Sequence, residues 1–131
     1  LLQGQVEYRL QHYATRSLYH MLLRDNVEIH EYTASFLHAK VAVVDDRWAT
    51  VGSSNIDPFS LLLAREANVV VWDSTVANEL RGALEGAMAH HARRVLADAH
   101  AARRWWWRLA DWCAYRLVRL CVVISGRAAQ Y

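Results

Sequence analysis

Residues 38–55 constrain this chain more than any other stretch. They read His-Ala-Lys-Val-Ala-Val-Val-Asp-Asp-Arg-Trp-Ala-Thr-Val-Gly-Ser-Ser-Asn. Alternate side chains of a strand share a face, so His38 and Lys40 would point the same way. The valine-rich run 41–44 suits a buried strand. Asp45-Asp46 reads as a turn, residues 48–51 as a returning strand, and Gly52-Ser53-Ser54-Asn55 as its end. Such a hairpin would bring His38, Lys40, Ser53 and Asn55 to adjacent strand ends. That set suits a phosphate. Imidazole can attack phosphorus or move a proton. Ammonium neutralises non-bridging oxygens, and hydroxyl and amide add neutral donors. Gly52 allows close backbone approach or a positive φ. The chain is rich in arginine, yet Lys40 is its only lysine. A site that wants a compact ammonium rather than a planar fork would keep one there.

Every fixed position of His-x-Lys-x4-Asp-x6-Gly-Ser-x-Asn is filled. The pattern resembles the HKD motif of the phospholipase D superfamily; the bland alternative is a buried hairpin with an incidental His and Lys. The resemblance implies an α/β fold, a mixed sheet flanked by helices that forms one half of a pseudo-two-fold pair. It implies phosphodiester chemistry through a phosphohistidine, with no metal or other cofactor. Catalytic roles would fall to His38, Lys40, Ser53, Asn55 and Glu66, and structural roles to Asp45, Gly52 and Asp57. Glu66 lies eleven positions after Asn55. The resemblance implies that it bonds the second nitrogen of His38 and fixes the tautomer, as the orienting acid of a triad does; otherwise it is a surface carboxylate at a strand start. On the resemblance His38 is either the attacking or the protonating imidazole; the C-terminal histidine of two-motif relatives is often the general acid, the role it favours for His38.

Gly-Ser-Ser-Asn-Ile-Asp-Pro-Phe-Ser at 52–60 looks like the extended motif of bacterial cardiolipin synthases. The resemblance covers residues 1–89, as the C-terminal half of an enzyme of the shorter B type. Ala64 departs from it, standing where those synthases usually carry Asn. The implied reaction is transfer of a phosphatidyl group to phosphatidylglycerol, or hydrolysis if water is the acceptor. It needs two imidazoles, so the second motif would come from an upstream half or from a second copy of the chain. The opening Leu1-Leu2-Gln3-Gly4 fits this, reading as the end of a strand begun upstream.

The rest of the chain supplies an α/β frame. Its 131 residues make one domain, enough to bury roughly two-thirds of the unfolded surface. Leu10, Ala14, Leu18 and Leu22 recur at helical spacing and predict a helix over 6–24, ended by Asn26 in a left-handed conformation. Residues 27–32 read as a strand. Residues 67–73 read as a strand at the sheet centre. Ser74 is the expected cap of a helix running to about Val95. His90, His91 and His100 show no metal spacing and read as surface or flanking residues. Cys113 and Cys121, roughly 12 Å apart along a helix, are too distant to bridge.

The domain is expected to span 1–100, followed by a basic, Trp-rich tail over 101–131. Net charge is only +2, but from Arg103 onward there are six arginines and one acid, Asp111. On a helix, Arg104, Arg108, Asp111, Tyr115 and Arg119 share one face. Trp106, Leu109, Cys113, Leu117, Leu120 and Ile124 share the other. Arginines at the bilayer centre cost about 2.5–3.5 kcal/mol each, which argues against a full span. The tail over 103–125 is expected to lie in the plane of a membrane surface, or else to pack on the missing half. Expected partners are a phosphatidylglycerol-like phospholipid and the cytoplasmic face of a bacterial membrane, with peripheral attachment. Two other functions compete: a homodimeric single-motif endonuclease, and an inactive membrane-associated interaction module. The endonuclease needs a basic groove beside His38, and the balanced charge there does not favour nucleic acid. The module predicts loss of a motif residue, and none is lost.

Overall fold

The computed structural model describes residues 1–6, 8–54 and 65–128. Its element order is β1 (Leu2–Gln3), α1 (Arg9–Ser17), α2 (Tyr19–Arg24), β2 (His30–Tyr32), β3 (Lys40–Val44), β4 (Trp48–Gly52) and β5 (Asn68–Trp72). There follow α3 (Ser74–His91), β6 (Ala92–Arg94), α4 (Ala97–Ala101) and α5 (Trp105–Ala128). The fold is mixed α/β. The described strands form two three-stranded sheets rather than one, in the orders β1-β2-β6 and β3-β4-β5. The first is mixed, with β2 parallel to β1 and antiparallel to β6. The second is antiparallel throughout. Helix α3 contacts strands of both and bridges them.

The first predicted helix forms as two pieces. At Leu18 the backbone N–H donates to Thr15 O at 3.1 Å. Ser17 Oγ donates to Ala14 O at 2.7 Å. A hydroxyl bonding back to the preceding turn competes with the helical ladder and tightens it. Ala14 and Tyr19 are the buried anchors, while Leu10 and Leu18 of the predicted stripe stay exposed. Asn26 ends α2 at φ 61. There the Asn26 N–H reaches Leu23 O and the Val27 N–H reaches Leu22 O, a Schellman closure.

Three other boundaries differ from expectation. Strand β5 lies at the edge of its sheet, with β4 in the middle, and Trp72 is 79% exposed. A continuous apolar run signals burial on two faces, but does not say which neighbour supplies it. The cap of α3 is Asp73, not Ser74: its carboxylate accepts from the Thr75 and Val76 N–H groups at 2.8 and 3.0 Å. Helix α3 stops at His91 because the next residues pair with β2, and Val95 N–H donates to Ile29 O at 2.8 Å. A sheet edge in reach outweighs further helical propensity.

Beside that edge lies a buried ionic cluster. Glu31 on β2 is 2% exposed. One of its oxygens accepts from Arg16 at 3.0 Å and from the Tyr19 hydroxyl at 3.3 Å. The other accepts from Arg93 at 2.7 Å. Burial, and then the Glu31 charge, push the Tyr19 phenol well above its ordinary pKa, so it remains a donor. The carboxylate therefore joins α1, α2, β2 and β6. His100 is also buried, not superficial, and packs on the Tyr19 ring at 5.7 Å. Burial, then Arg103 and Arg16, lower its pKa.

Helix α5 lies along α1. Asp111 and Ala114 are buried in the contact, Arg103 closes on Asp111 at 2.6 Å, and Trp107 stacks on Tyr13 at 6.1 Å. The apolar stripe faces outward, the side on which a membrane surface or a further half is expected, with Ile124 60% exposed.

Substituting Glu31→Gln should leave Arg16 without its counter-charge in a buried setting. The expected loss is about 3 kcal/mol, measured by denaturant unfolding at neutral pH. A change below about 0.5 kcal/mol would mean that the cluster does not join these elements.

Candidate active site

The site is built on the β3–β4 hairpin. Asp45 and Asp46 both adopt φ 51, and Arg47 N–H donates to Val44 O at 3.3 Å. Two successive left-handed residues match the twist of paired strands, and aspartate tolerates that conformation better than most residues. Asp45 thus shapes the turn at the end of β3 remote from His38. Asp46 is also tied to α3 through Arg81. The register places Lys40 opposite Gly52, so the two ends of the motif meet.

His38 precedes β3 rather than lying in it, yet it still reaches Lys40. The Lys40 Nζ is 2.8 Å from His38 Nε2. Ammonium has donors and no acceptor, so it donates to Nε2. That assigns the lone pair to Nε2 and the ring proton to Nδ1. His38 is exposed and Lys40 half-buried, so an incoming anion can reach both.

Gly52 is needed for close approach, not for positive φ. A Cβ there would come within 2.6 Å of Ala67 O and would also strike the Asn68 side chain. Asn68 uses that space to donate from Nδ2 to Ser54 Oγ at 2.6 Å. It clamps the strand end, a role that its place as the polar interruption of an apolar run could have signalled. Ser53 accepts from the Ala67 N–H at 3.0 Å, and its hydroxyl donates to the Glu66 carboxylate. Pairing of Gly52 with Asn68 fixes this, because the preceding residues on β5 then fall beside Ser53. Glu66 is therefore engaged with Ser53, and among the described residues no hydrogen bond joins it to His38. Asn55 and Asp57 lie outside the described residues.

His38 and Lys40 open onto a cavity of about 380 Å³. Its opposite wall is α1, through Gln11, His12 and Thr15, with Tyr19 and Gln5 also lining it. Sequence reasoning missed this wall, since its residues carry no motif spacing. Burial, and then the Arg16 charge, lower the His12 pKa. Burial thus disfavours the charged form, and the neutral ring can both donate and accept. Among the described residues no group of three His, Cys, Asp or Glu side chains could hold a metal ion. The arrangement offers one imidazole lone pair, one ammonium and a polar cavity, a set suited to a phosphate ester.

Comparison with known proteins agrees with this chemistry. Residues 1–88 match the family described as cardiolipin synthase, PLD-like domain. The chain is 39% identical over 126 residues to cardiolipin synthase B of Salmonella typhi, covering 96% of this chain and 30% of that protein. Identity to cardiolipin synthase B of Escherichia coli K12 is 40% over the same length and shares. A cardiolipin synthase of Halalkalibacterium halodurans is 29% identical over 115 residues, 85% of this chain and 22% of the relative. The chain thus spans less than a third of the length of these curated relatives. No solved structure matches it.

Gly52→Ala should force β4 and β5 apart beside Ser53. The expected cost is about 1–3 kcal/mol, with faster amide exchange at Ser53 and Ala67 than at Val43. Unchanged exchange there would show that the strand ends are not closely apposed.

Proposed function

The chain belongs to the cardiolipin synthase family of PLD-like domains, and from that membership we propose that it supplies one imidazole of a phosphatidyltransferase. The observation carrying this reading is the Lys40 ammonium donating to His38 Nε2 at the mouth of the cavity. A phosphate oxygen arriving there competes for the ammonium, the stronger pairing being with the anion. Release of Lys40 to the phosphate frees Nε2 for proton transfer.

The reaction runs in two halves. In the first, the imidazole of a second motif attacks phosphorus, a P–N bond forms and the P–O bond to the departing alcohol breaks. His38, whose freed Nε2 has taken a proton from solvent, gives that proton to the alcohol. In the second half His38 takes the proton of the incoming hydroxyl, the new P–O bond forms and the P–N bond breaks. Lys40 and Asn55 offset the charge on the non-bridging oxygens. Ser53 and Glu66 act at one remove, by bonding to each other just past the end of β4. The donor is a phospholipid and the acceptor phosphatidylglycerol. The second motif comes from the remaining length of a protein like the relatives, or from a second copy of the chain.

Helix α5 fits the same reading. Its contact with α1 uses the Asp111–Ala114 side, leaving Leu109, Trp112, Leu117, Leu120 and Ile124 exposed at helical spacing. Trp105 and Trp106 stand at its start, and the Arg104 guanidinium lies 3.6 Å from the Trp106 ring centroid. None of the described helices is long and apolar enough to cross a membrane. We assign α5 to in-plane contact with anionic lipid at the cytoplasmic face of a bacterial membrane, which holds the cavity near its substrate.

Two outcomes test this proposal. In the full-length protein in membranes, His38→Ala should lower turnover of labelled phosphatidylglycerol by about 10²–10⁴-fold. His38-dependent DNA cleavage without lipid turnover would replace the proposal with an endonuclease. Replacing Leu117 and Leu120 by Ser should weaken binding to anionic vesicles by at least about tenfold, since withdrawing only two methylenes from lipid at roughly 0.8 kcal/mol each already gives that factor. Equal binding of both proteins to neutral and anionic vesicles would count against the membrane contact.

A further inference from the structure

We infer that the α1 wall of the cavity selects the alcohol that receives the phosphatidyl group, and that its chemistry fits a small polyhydroxyl headgroup. The inference rests on the proposed role of the cavity in phosphoryl transfer and adds the residues that choose the acceptor.

Gln11 and His12 lie four and three positions before Thr15, so both neighbour it on one side of α1. All three line the cavity that also holds His38 and Lys40. The other side of α1 is occupied by α5, with Ala14 buried and Tyr13 stacked on Trp107. The wall is thus braced from behind. Its groups are neutral and two-sided: the Gln11 amide donates and accepts, the His12 imidazole does both, and so does the Thr15 hydroxyl. Gln5 continues the set at the rim, its amide donating to Thr33 O at 3.1 Å and leaving its own oxygen open.

A hydroxyl group also donates and accepts, so adjacent hydroxyls of a polyol match such a wall. An amino-alcohol headgroup needs an anion or several acceptors for its ammonium. Among the described residues no carboxylate lines the cavity, and Glu31 behind Tyr19 is already paired with two arginines. The Lys40 ammonium opposes a second cation in the same space. Sites built to bond a hydroxyl discriminate strongly against ligands that leave their polar groups unmatched.

The test uses the full-length protein in membranes, with acyl-labelled phosphatidylglycerol as donor. Isotope-labelled glycerol and ethanolamine compete as acceptors with water, and the three products are resolved by mass. Wild type should favour glycerol over ethanolamine by about tenfold or more. Gln11→Leu should lower the ratio of glycerol transfer to hydrolysis by about tenfold. Gln11→Glu should raise the ethanolamine-to-glycerol ratio about fivefold or more by supplying the missing anion. Both ratios are read from whatever turnover remains, so a partly unfolded variant still reports. Ratios within twofold of wild type in both variants, with His38→Ala inactive, would overturn the α1 assignment and leave the proposed catalytic site standing. Undiminished turnover in His38→Ala would overturn both.

Discussion

The carboxylate of Glu31 is the point on which this structure turns. It is withdrawn from water on a three-residue strand, and two arginines and a phenol from three other elements converge on it. Such a group does not favour folding through its own desolvation, which is costly. Its effect is conditional: once β2 is in place, α1, α2 and β6 must arrive in one geometry or leave a buried charge unmatched. The consequence reaches the site. Arg16 and Tyr19 belong to the helices that wall the cavity, so the distance from that wall to His38 is set partly by the carboxylate behind it. A small domain with few fully buried apolar side chains gains in specificity of arrangement what it lacks in core volume.

The hairpin was legible in the sequence because its information is local. Turn residues, strand residues and a glycine stand at spacings that only one register satisfies, and the register then brings Lys40 to Gly52. The helix boundaries were less legible, because they are settled by neighbours distant in sequence. Helix α3 stops where β2 offers an edge, and α1 breaks at a serine whose hydroxyl finds the preceding turn. The α1 wall was invisible for a different reason. Gln11, His12 and Thr15 are ordinary polar residues of an amphipathic helix, and only the cavity they share with His38 and Lys40 sets them apart. The expected place of Glu66 came from resemblance, whereas its partner here follows from how β4 and β5 align.

Helix α5 shows how a single amphipathic pattern can serve two surfaces. Its sequence places charged residues on one face and apolar residues on the other, the tail being expected against a membrane surface or a missing half. Asp111 instead turns inward because Arg103, at the start of the same segment, neutralises it within the contact. The smallest side chain nearby, Ala114, permits close helix packing. That leaves the apolar stripe on the outside, where water alone would not hold it favourably. The same helix therefore braces α1 on one side and presents tryptophan, leucine and arginine on the other.

On the proposed membrane contact, the two sides of α5 would join the lipid surface to the chemistry. A helix resting in the headgroup layer fixes the height of α1, and α1 is the wall facing His38. The acceptor hydroxyl must meet the imidazole at hydrogen-bonding distance, while its acyl chains remain in the bilayer. A lipid acceptor can satisfy both only if the cavity mouth sits at the depth of the headgroups. On that proposal the stack of α5 on α1 would set the depth by the tryptophans at one end, since indole rings favour the interface over either water or hydrocarbon. Chemistry of this kind gains most from position, and on the proposed contact the position of the reacting groups would be set relative to the membrane as well as to one another.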